Sequence, residues 1–528
     1  MECTRIGYAA TRRFTRLVEE HAGGDAFLDA FRSFPPTLDG LRAAAQQRSF
    51  PAASRTVLVE ALRRQYRGSE PMAAVERNLA LLARPDALAV TTGHQLCLFT
   101  GPLYVPFKLL NAIRLARTLS DDLGRPVVPV FWMATEDHDR AEIDHAWLGE
   151  RQVHWPGAAA GAVGRLPLEG IAPVVEQACT LLGSGSEAEA LGRLLRECYQ
   201  PGRTLADATR RFVHALFGRF GLLILDGDDP ALKALFAPVM REELLNGITE
   251  QAVRYANERL AVRHAVQAHA RPINLFHLRP GHRARIERDG EGYQVLHGGP
   301  RFDLDGLLAE LEQHPERFSP NVLMRPLYQE TILPGIAYIG GGGELAYWMQ
   351  LKWLFQAVRL PMPAVLLRTS AAFLTAKHDR QRRGLGLALE DLFLPAHALM
   401  DRVAHAASGR SSALPQERAL LDSLSASIRA RATAIDPTLG PSIDAAAVRM
   451  QRILAQAEAR MARALRRREA VHLGRVQAML DALFPGGGLQ ERRHGILPML
   501  AASGPGALDA LLDALDPLDA RFTMVVDG

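Results

Sequence analysis

The chain has 528 residues, 48% of them apolar and 23% charged, and its 62 basic and 58 acidic side chains leave a formal charge of +4. That is a globular balance with room for two or three domains, and too small a basic surplus, spread as arginine along the chain, to expect a nucleic-acid partner. No uninterrupted apolar run reaches membrane-spanning length, the start MECTRIGYAATRRFTRL has no signal-peptide core, and Cys3, Cys97, Cys179 and Cys198 lack CxxC spacing; a cytoplasmic protein with free thiols is expected, with no membrane partner and no zinc ribbon.

Residues 1–83 read as helices around a loop at Pro35, Pro36 and Pro51. From Ala87 the grammar changes to strand, loop, helix, strand: an apolar run to Val90, a helix pattern from Leu103 to Leu119, and a β-rich run from Val127 to Met133. It returns at Leu222–Leu225, followed by Asp229 and Pro230 as helix cap and first turn, at Gly335–Ile339 before a four-glycine loop and a helix from Glu344, and at Ala364–Leu367. Alternation of this kind predicts an α/β fold with a mostly parallel sheet covered on both faces. Residues 1–375 thus form the core, and 376–490 a helical domain: one helix from Pro415 to Ile435, a turn at Asp436–Pro441, then a helix of roughly forty residues with apolar positions at three- and four-residue steps. Arg468 on that seam favours a short antiparallel hairpin, a solvated bundle or a dimer contact. Residues 491–528 return to the core, with Phe522–Val526 as a last strand joining the sheet.

Parallel sheets bind ligands at the carboxyl ends of their strands, which puts three segments forward. Gly93, His94 and Gln95 lead through Gly101 into a helix where Tyr104 and Lys108 share one face, and the loop N–H groups are candidates to hold an anion. Lysine occurs only at 108, 233, 352 and 377, so a lysine at such a place stands out. After Met133 come Glu136, Asp137, His138, Asp139, Glu142, Asp144 and His145, five carboxylates and two imidazoles in ten residues. Like charges at that density need a cationic guest: a substrate ammonium, with His138 as general base, or a divalent metal. The third segment is Gly340–Gly343 with Glu344, Tyr347 and Trp348. A carboxylate in the first helical turn repels phosphate and suits sugar hydroxyls or an ammonium. Arg325 and Gln329 lie upstream, and Arg368 follows the last strand, the arginines as anion partners.

The segments TTGHQLCLFTGPLYVPFKLLNAIRLA, PVFWMATEDHDRAEIDH, FSPNVLMRPLYQETILPGIAYIGGGGELAYWMQLK and LFPGGGLQER together resemble the cysteine-adding enzymes of bacillithiol biosynthesis. The resemblance covers residues 91–368 in order and resumes at 483–492; it departs at Gly342, where many members carry proline. It implies a Rossmann-like core with connecting insertions, a coiled-coil domain that promotes a homodimer, and a ligase adding L-cysteine to the sugar amine of glucosaminyl malate. Amide formation from a carboxylate implies activation, with ATP and Mg2+ the expected cosubstrate and ion. Under that reading Gly93, His94, Gln95, Gly101 and Lys108 hold the activated group. Asp137, His138 and Asp139, beside Glu136, hold the cysteine ammonium or deprotonate the amine, and Glu344, Tyr347 and Arg325 hold the sugar and malate. The alternative from the residues alone is a metal-dependent hydrolase built on the 136–145 cluster.

Overall fold

The computed structural model describes residues 2–157, 160–409 and 411–526. Five strands, β1 (Leu88–His94), β2 (Val127–Met133), β3 (Leu223–Asp226), β4 (Gly335–Gly340) and β5 (Ala364–Leu367), form a wholly parallel sheet in the order β5-β4-β1-β2-β3. All seven residues of β2 are buried, as are six of the seven in β1, which is why these strands read as apolar runs rather than alternating ones. The chain builds from β1 towards β3 on one side and then crosses to lay β4 and β5 on the other, so the switch point, with its open crevice, lies between the carboxyl ends of β1 and β4. Three helices border it: α1 (Tyr104–Leu123) after β1, α2 (Arg325–Ile332) before β4, and α3 (Gly342–Trp348) after it.

Between β3 and β4 sits an insertion that the strand signals do not reveal. Leu275–Arg279, His282–Asp289, Gly292–Val295, Arg301–Phe302 and Phe318–Pro320 make a five-stranded antiparallel sheet. In its second strand Ala284 and Ile286 are buried while the alternate residues Arg283 and Arg285 face the crevice. Two terminal elements also differ from expectation. Glu2–Ile6 is a strand in a region that reads as helical, and Phe522–Val526 does not join the central sheet. It lies in a separate three-stranded sheet, antiparallel to Glu2–Ile6 and parallel to Ala371–Leu374, because both of its neighbours come from segments with too little alternation to reveal a pairing.

The helical domain comprises α4 (Ala396–Ser408), α5 (Pro415–Ile435), α6 (Gly440–Arg468) and α7 (Ala470–Leu483). The single long helix expected after the turn is broken at Glu469, where φ −96° and ψ 23° leave the helical region. Beyond the break α7 buries Leu473, Val476, Met479, Leu480 and Leu483 against the core. Before it, α5 and α6 project as an antiparallel hairpin in which α5 buries no side chain, with Arg418 and Glu458 paired across it. No helix among the described residues is long and apolar enough to cross a membrane.

Candidate active site at the switch point

β1 delivers Gly93 to the crevice beside β4. A Cβ there would lie 3.3 Å from the Tyr338 hydroxyl and 3.6 Å from the Arg325 guanidinium, so glycine permits the close approach. Lys108, one turn into α1, is buried: its Nζ donates to the Gly93 carbonyl at 2.7 Å and pairs with the Glu344 carboxylate. Glu344 also accepts from the Tyr338 hydroxyl at 2.5 Å and from the Gly341 N–H at 2.8 Å, which caps α3 with its own side chain. Burial pushes the Lys108 ammonium down from its ordinary range, and Glu344 opposes that. Burial likewise pushes the Glu344 carboxyl up, but Lys108 and the Gly341 N–H more than reverse it. Glu344 therefore serves Lys108 and its own helix with the oxygens expected to hold sugar hydroxyls. The loop after β1 is similarly committed, since the N–H groups of Leu98, Phe99, Gly101 and Leu103 donate to Ile143, Tyr199, Leu98 and His494. Those four N–H groups buttress the loop against its neighbours and are not available to an anion. Gly101, at φ 63°, turns so tightly that a Cβ would meet the Cys97 side chain at 2.5 Å.

Two arginines border this corner. Arg368 is buried and donates to Glu491 at 2.7 Å, with its guanidinium 5.2 Å from the Tyr104 ring centroid. Arg325 is different: its hydrogen bonds go to Gln329 Oε1 at 2.9 Å and to the hydroxyls of Tyr347 at 3.1 Å and Tyr338 at 3.5 Å, all neutral. His94, at the end of β1, packs edge-on to Tyr104 at 5.2 Å. Burial, reinforced by Lys108, brings its imidazole down to about 3, so it is neutral across the physiological range. Its neighbour Cys97, 3.5 Å from His94 Nε2, is pushed up to about 12 by burial and stays a thiol.

The acidic segment after β2 does not converge on one point. Glu136 pairs with the fully buried Lys233 at 2.5 Å, and that lysine also donates to the Phe318 carbonyl at 2.5 Å. Burial pushes the Glu136 carboxyl up and Lys233 draws it back. Asp137 accepts from Gln95 Nε2 at 2.9 Å and from the His138 N–H at 2.7 Å; burial raises its carboxyl, but His138 and Arg283 overcome this and hold it below the usual range. Asp144 lies between His145 and His154. Among the described residues no three His, Cys, Asp or Glu side chains are grouped so as to hold a metal ion, and Glu136, Asp137 and Asp144 are each turned to a cation or donor of their own.

These parts surround one cleft of about 730 Å3. Gly93, His94, Gln95, Tyr104, Lys108, Glu136, Asp137, Arg325, Glu344, Tyr347 and Arg368 line it, together from segments far apart in sequence. His138 and Asp139 are exposed outside its lining. Gly101, Gln329 and Trp348 are buried behind it, Trp348 stacked on Tyr338 at 4.5 Å. The opposite wall comes from the antiparallel insertion and was not foreseen: Asn274, Phe276, Arg283 and Arg285. Arg283 lies over Phe276 at 3.9 Å and donates to His138 Nδ1 at 2.8 Å, which makes that nitrogen an acceptor and leaves the ring proton on Nε2.

Residues 1–369 match the family model "Bacillithiol biosynthesis BshC, N-terminal Rossmann-like domain", and residues 371–526 match "Bacillithiol biosynthesis BshC, C-terminal coiled-coil domain". The chain belongs to the BshC family. It is similar to the protein of Flavobacterium johnsoniae named "Putative cysteine ligase BshC", 35% identical over 523 residues, 98% of this chain and 99% of that one. A protein of the same name from Cytophaga hutchinsonii is 34% identical over 525 residues, 98% of each chain. As a BshC protein the chain is an enzyme, a ligase that forms a carbon–nitrogen bond. The two BshC segments meet at the cleft, where Glu491 of the second holds Arg368 of the first, and Arg492 lies 6.0 Å from the Tyr104 ring.

Proposed function

We propose that this cleft joins the carboxyl of L-cysteine to the amine of glucosaminyl malate, forming the amide that completes bacillithiol. The observation that carries the reading is Arg325, a guanidinium lining the cleft whose bonds are all to neutral groups, facing a wall where Asp137 stays ionised. One side is thus equipped for a carboxylate and the other for an ammonium, as a condensation of an amino acid with an acidic amino sugar requires. Lys108 and Arg368 are neutralised by Glu344 and Glu491, whereas Arg325, Arg285 and Arg492 line the cleft without an ion pair among the described residues.

Of the residues proposed to act, Asp137 holds the cysteine ammonium, Arg325 takes the malate end, and Arg285 in the opposite wall supports a second anion. Neutral His94 donates or accepts one hydrogen bond without adding charge near the reacting carbonyl. The attacking amine has to lose its proton, and Glu142, which lines the cleft and whose carboxyl burial pushes up, is the group placed to take it. ATP, with Mg2+, would turn the carboxyl oxygen into a leaving group by transferring AMP or phosphate to it; Arg285 and Arg492 are the cleft side chains placed to meet its phosphates, since the N-terminus of α3 is already capped by Glu344. The reaction takes place in the cytoplasm, where cysteine stays reduced. The exposed row Leu420, Leu424 and Ile428 on α5 with Ile453 and Met461 on α6 is proposed to pair with its equivalent in a homodimer.

Arg325→Met tests the assignment. It is expected to raise KM for glucosaminyl malate at least tenfold while leaving KM for cysteine nearly unchanged, and Asp137→Asn is expected to do the reverse. Equal effects of each variant on both substrates would refute the division of the cleft.

A further inference from the structure

We propose that Gln329 and Glu330, buried behind the cleft wall, are positioning residues for Arg325, acting as a rigid hydrogen-bonded strut that fixes the direction of its guanidinium. This rests on the reading that Arg325 takes the anionic end of the substrate. Both side chains are fully buried and neither lines the cleft. Arg325 donates to Gln329 Oε1 at 2.9 Å, and Gln329 Nε2 donates to Glu330 Oε1 at 2.8 Å. The backbone carbonyl of Glu330 accepts from Arg48 at 2.5 Å, and Glu330 Oε2 lies 3.8 Å from the same guanidinium. The strut thus runs from Arg48, in the amino-terminal helices, through α2 to the cleft.

The chemistry of the middle link permits one arrangement. A guanidinium only donates and Glu330 Oε1 accepts whether or not the acid is ionised, so a residue between them must accept on one side and donate on the other. A glutamine amide does this in one orientation, and flipping it would set its NH2 against the guanidinium. A second carboxylate at 329 would neutralise Arg325 and face Glu330, and an apolar side chain would leave both neighbours unsatisfied. Space is equally specified: a Cβ on Gly335, the first residue of β4, would lie 2.3 Å from Glu330 Oε2, so the glycine makes room for the carboxylate. At its other end Arg325 is held by the Tyr347 hydroxyl. With both edges of the guanidinium fixed, the remaining N–H groups meet a ligand without first paying an ordering cost.

Two readouts on the full chain test this. In calorimetric titration with glucosaminyl malate, Gln329→Leu is expected to raise Kd about tenfold when Arg325 is present, and by less than about twofold in the Arg325→Met background. Equal factors in both backgrounds would mean that Gln329 only supports the fold, and would overturn the proposal. Glu330→Gln keeps the shape and an acceptor but loses the charge, and is expected to cost about threefold through the same cycle. The second readout needs no ligand: phenylglyoxal modification followed peptide by peptide should speed up severalfold at Arg325 in Gln329→Leu while Arg368 is unchanged. No acceleration at Arg325 would also overturn the proposal. Acceleration without any binding of glucosaminyl malate to the unsubstituted protein would uphold the strut and refute the substrate reading.

Discussion

Replacing Lys108 with methionine removes the most deeply placed charge of the cleft while keeping the length of the side chain. The ammonium is 2% exposed and its partner Glu344 is 23% exposed, so the pair is mostly desolvated, and deleting one member leaves a carboxylate without its counter-ion. Breaking such a pair costs roughly 3–5 kcal/mol. Glu344 keeps the Tyr338 hydroxyl and Gly341 N–H bonds and some solvent contact, which places Lys108→Met near the low end, about 3 kcal/mol. Glu344→Gln in the same chain removes the orphaned charge and should recover at least about half of that loss. Urea unfolding monitored by tryptophan fluorescence, with Trp132 beside the cleft, reads both variants against the unsubstituted chain. A Lys108→Met cost below about 1 kcal/mol, or a double variant no more stable than the single, would refute the argument that Lys108 and Glu344 form one buried unit. Loss of activity in Lys108→Met is thus expected together with lost stability, and only the double variant separates the two.

Glu330 makes stability depend on pH. Burial lifts its carboxyl to about 7 against the pull of Arg48; an acid raised on folding favours the folded state below its unfolded pKa and loses that contribution as pH rises through about 7. The Glu330→Gln chain should therefore gain about 3 kcal/mol relative to the unsubstituted one between pH 4.5 and pH 8, and a constant difference in urea unfolding across that range would contradict this. His94 works in the opposite sense: with its folded pKa near 3, the stability of keeping it neutral is present above about 6.5 and lost as pH falls towards 3, so His94→Gln should flatten the acid limb of the unfolding curve. Leu424→Glu with Ile453→Glu, on the exposed hairpin row, is expected to convert a dimer to a monomer in sedimentation velocity with helix content unchanged; a monomeric unsubstituted chain would remove the dimer proposal.

Much of the core was legible because parallel strands buried on both faces leave short apolar runs bounded by glycine and helix caps, as from Val127 to Met133. The same rule explains what was missed. In the antiparallel insertion the strand His282–Asp289 carries Arg283 and Arg285 on one face, and in a chain whose basic residues are nearly all arginine two more give no signal. Lysine rarity was the better guide: Lys108 and Lys233 both end in buried ion pairs at the cleft. Their partners could not be read, since Glu344 and Glu136 lie on other strand–helix units and meet them only through the sheet order. The density of the 136–145 segment pointed to a cationic guest, whereas part of that charge is met within the protein by Lys233 and Arg283, and His145 and His154 flank Asp144. Gln329 was legible as polar and near the site, but its place behind Arg325 instead of in the cleft depends on which face of α2 is buried.

The most direct test of the account is mass spectrometry of the purified chain incubated with L-cysteine, glucosaminyl malate and Mg·ATP, each omitted in turn. The account predicts one new species, cysteine amide-linked to the sugar amine, that needs all components and is lost in Arg325→Met. Folded protein that makes no such amide from the complete mixture, or makes it equally well without ATP or without Arg325, would contradict it.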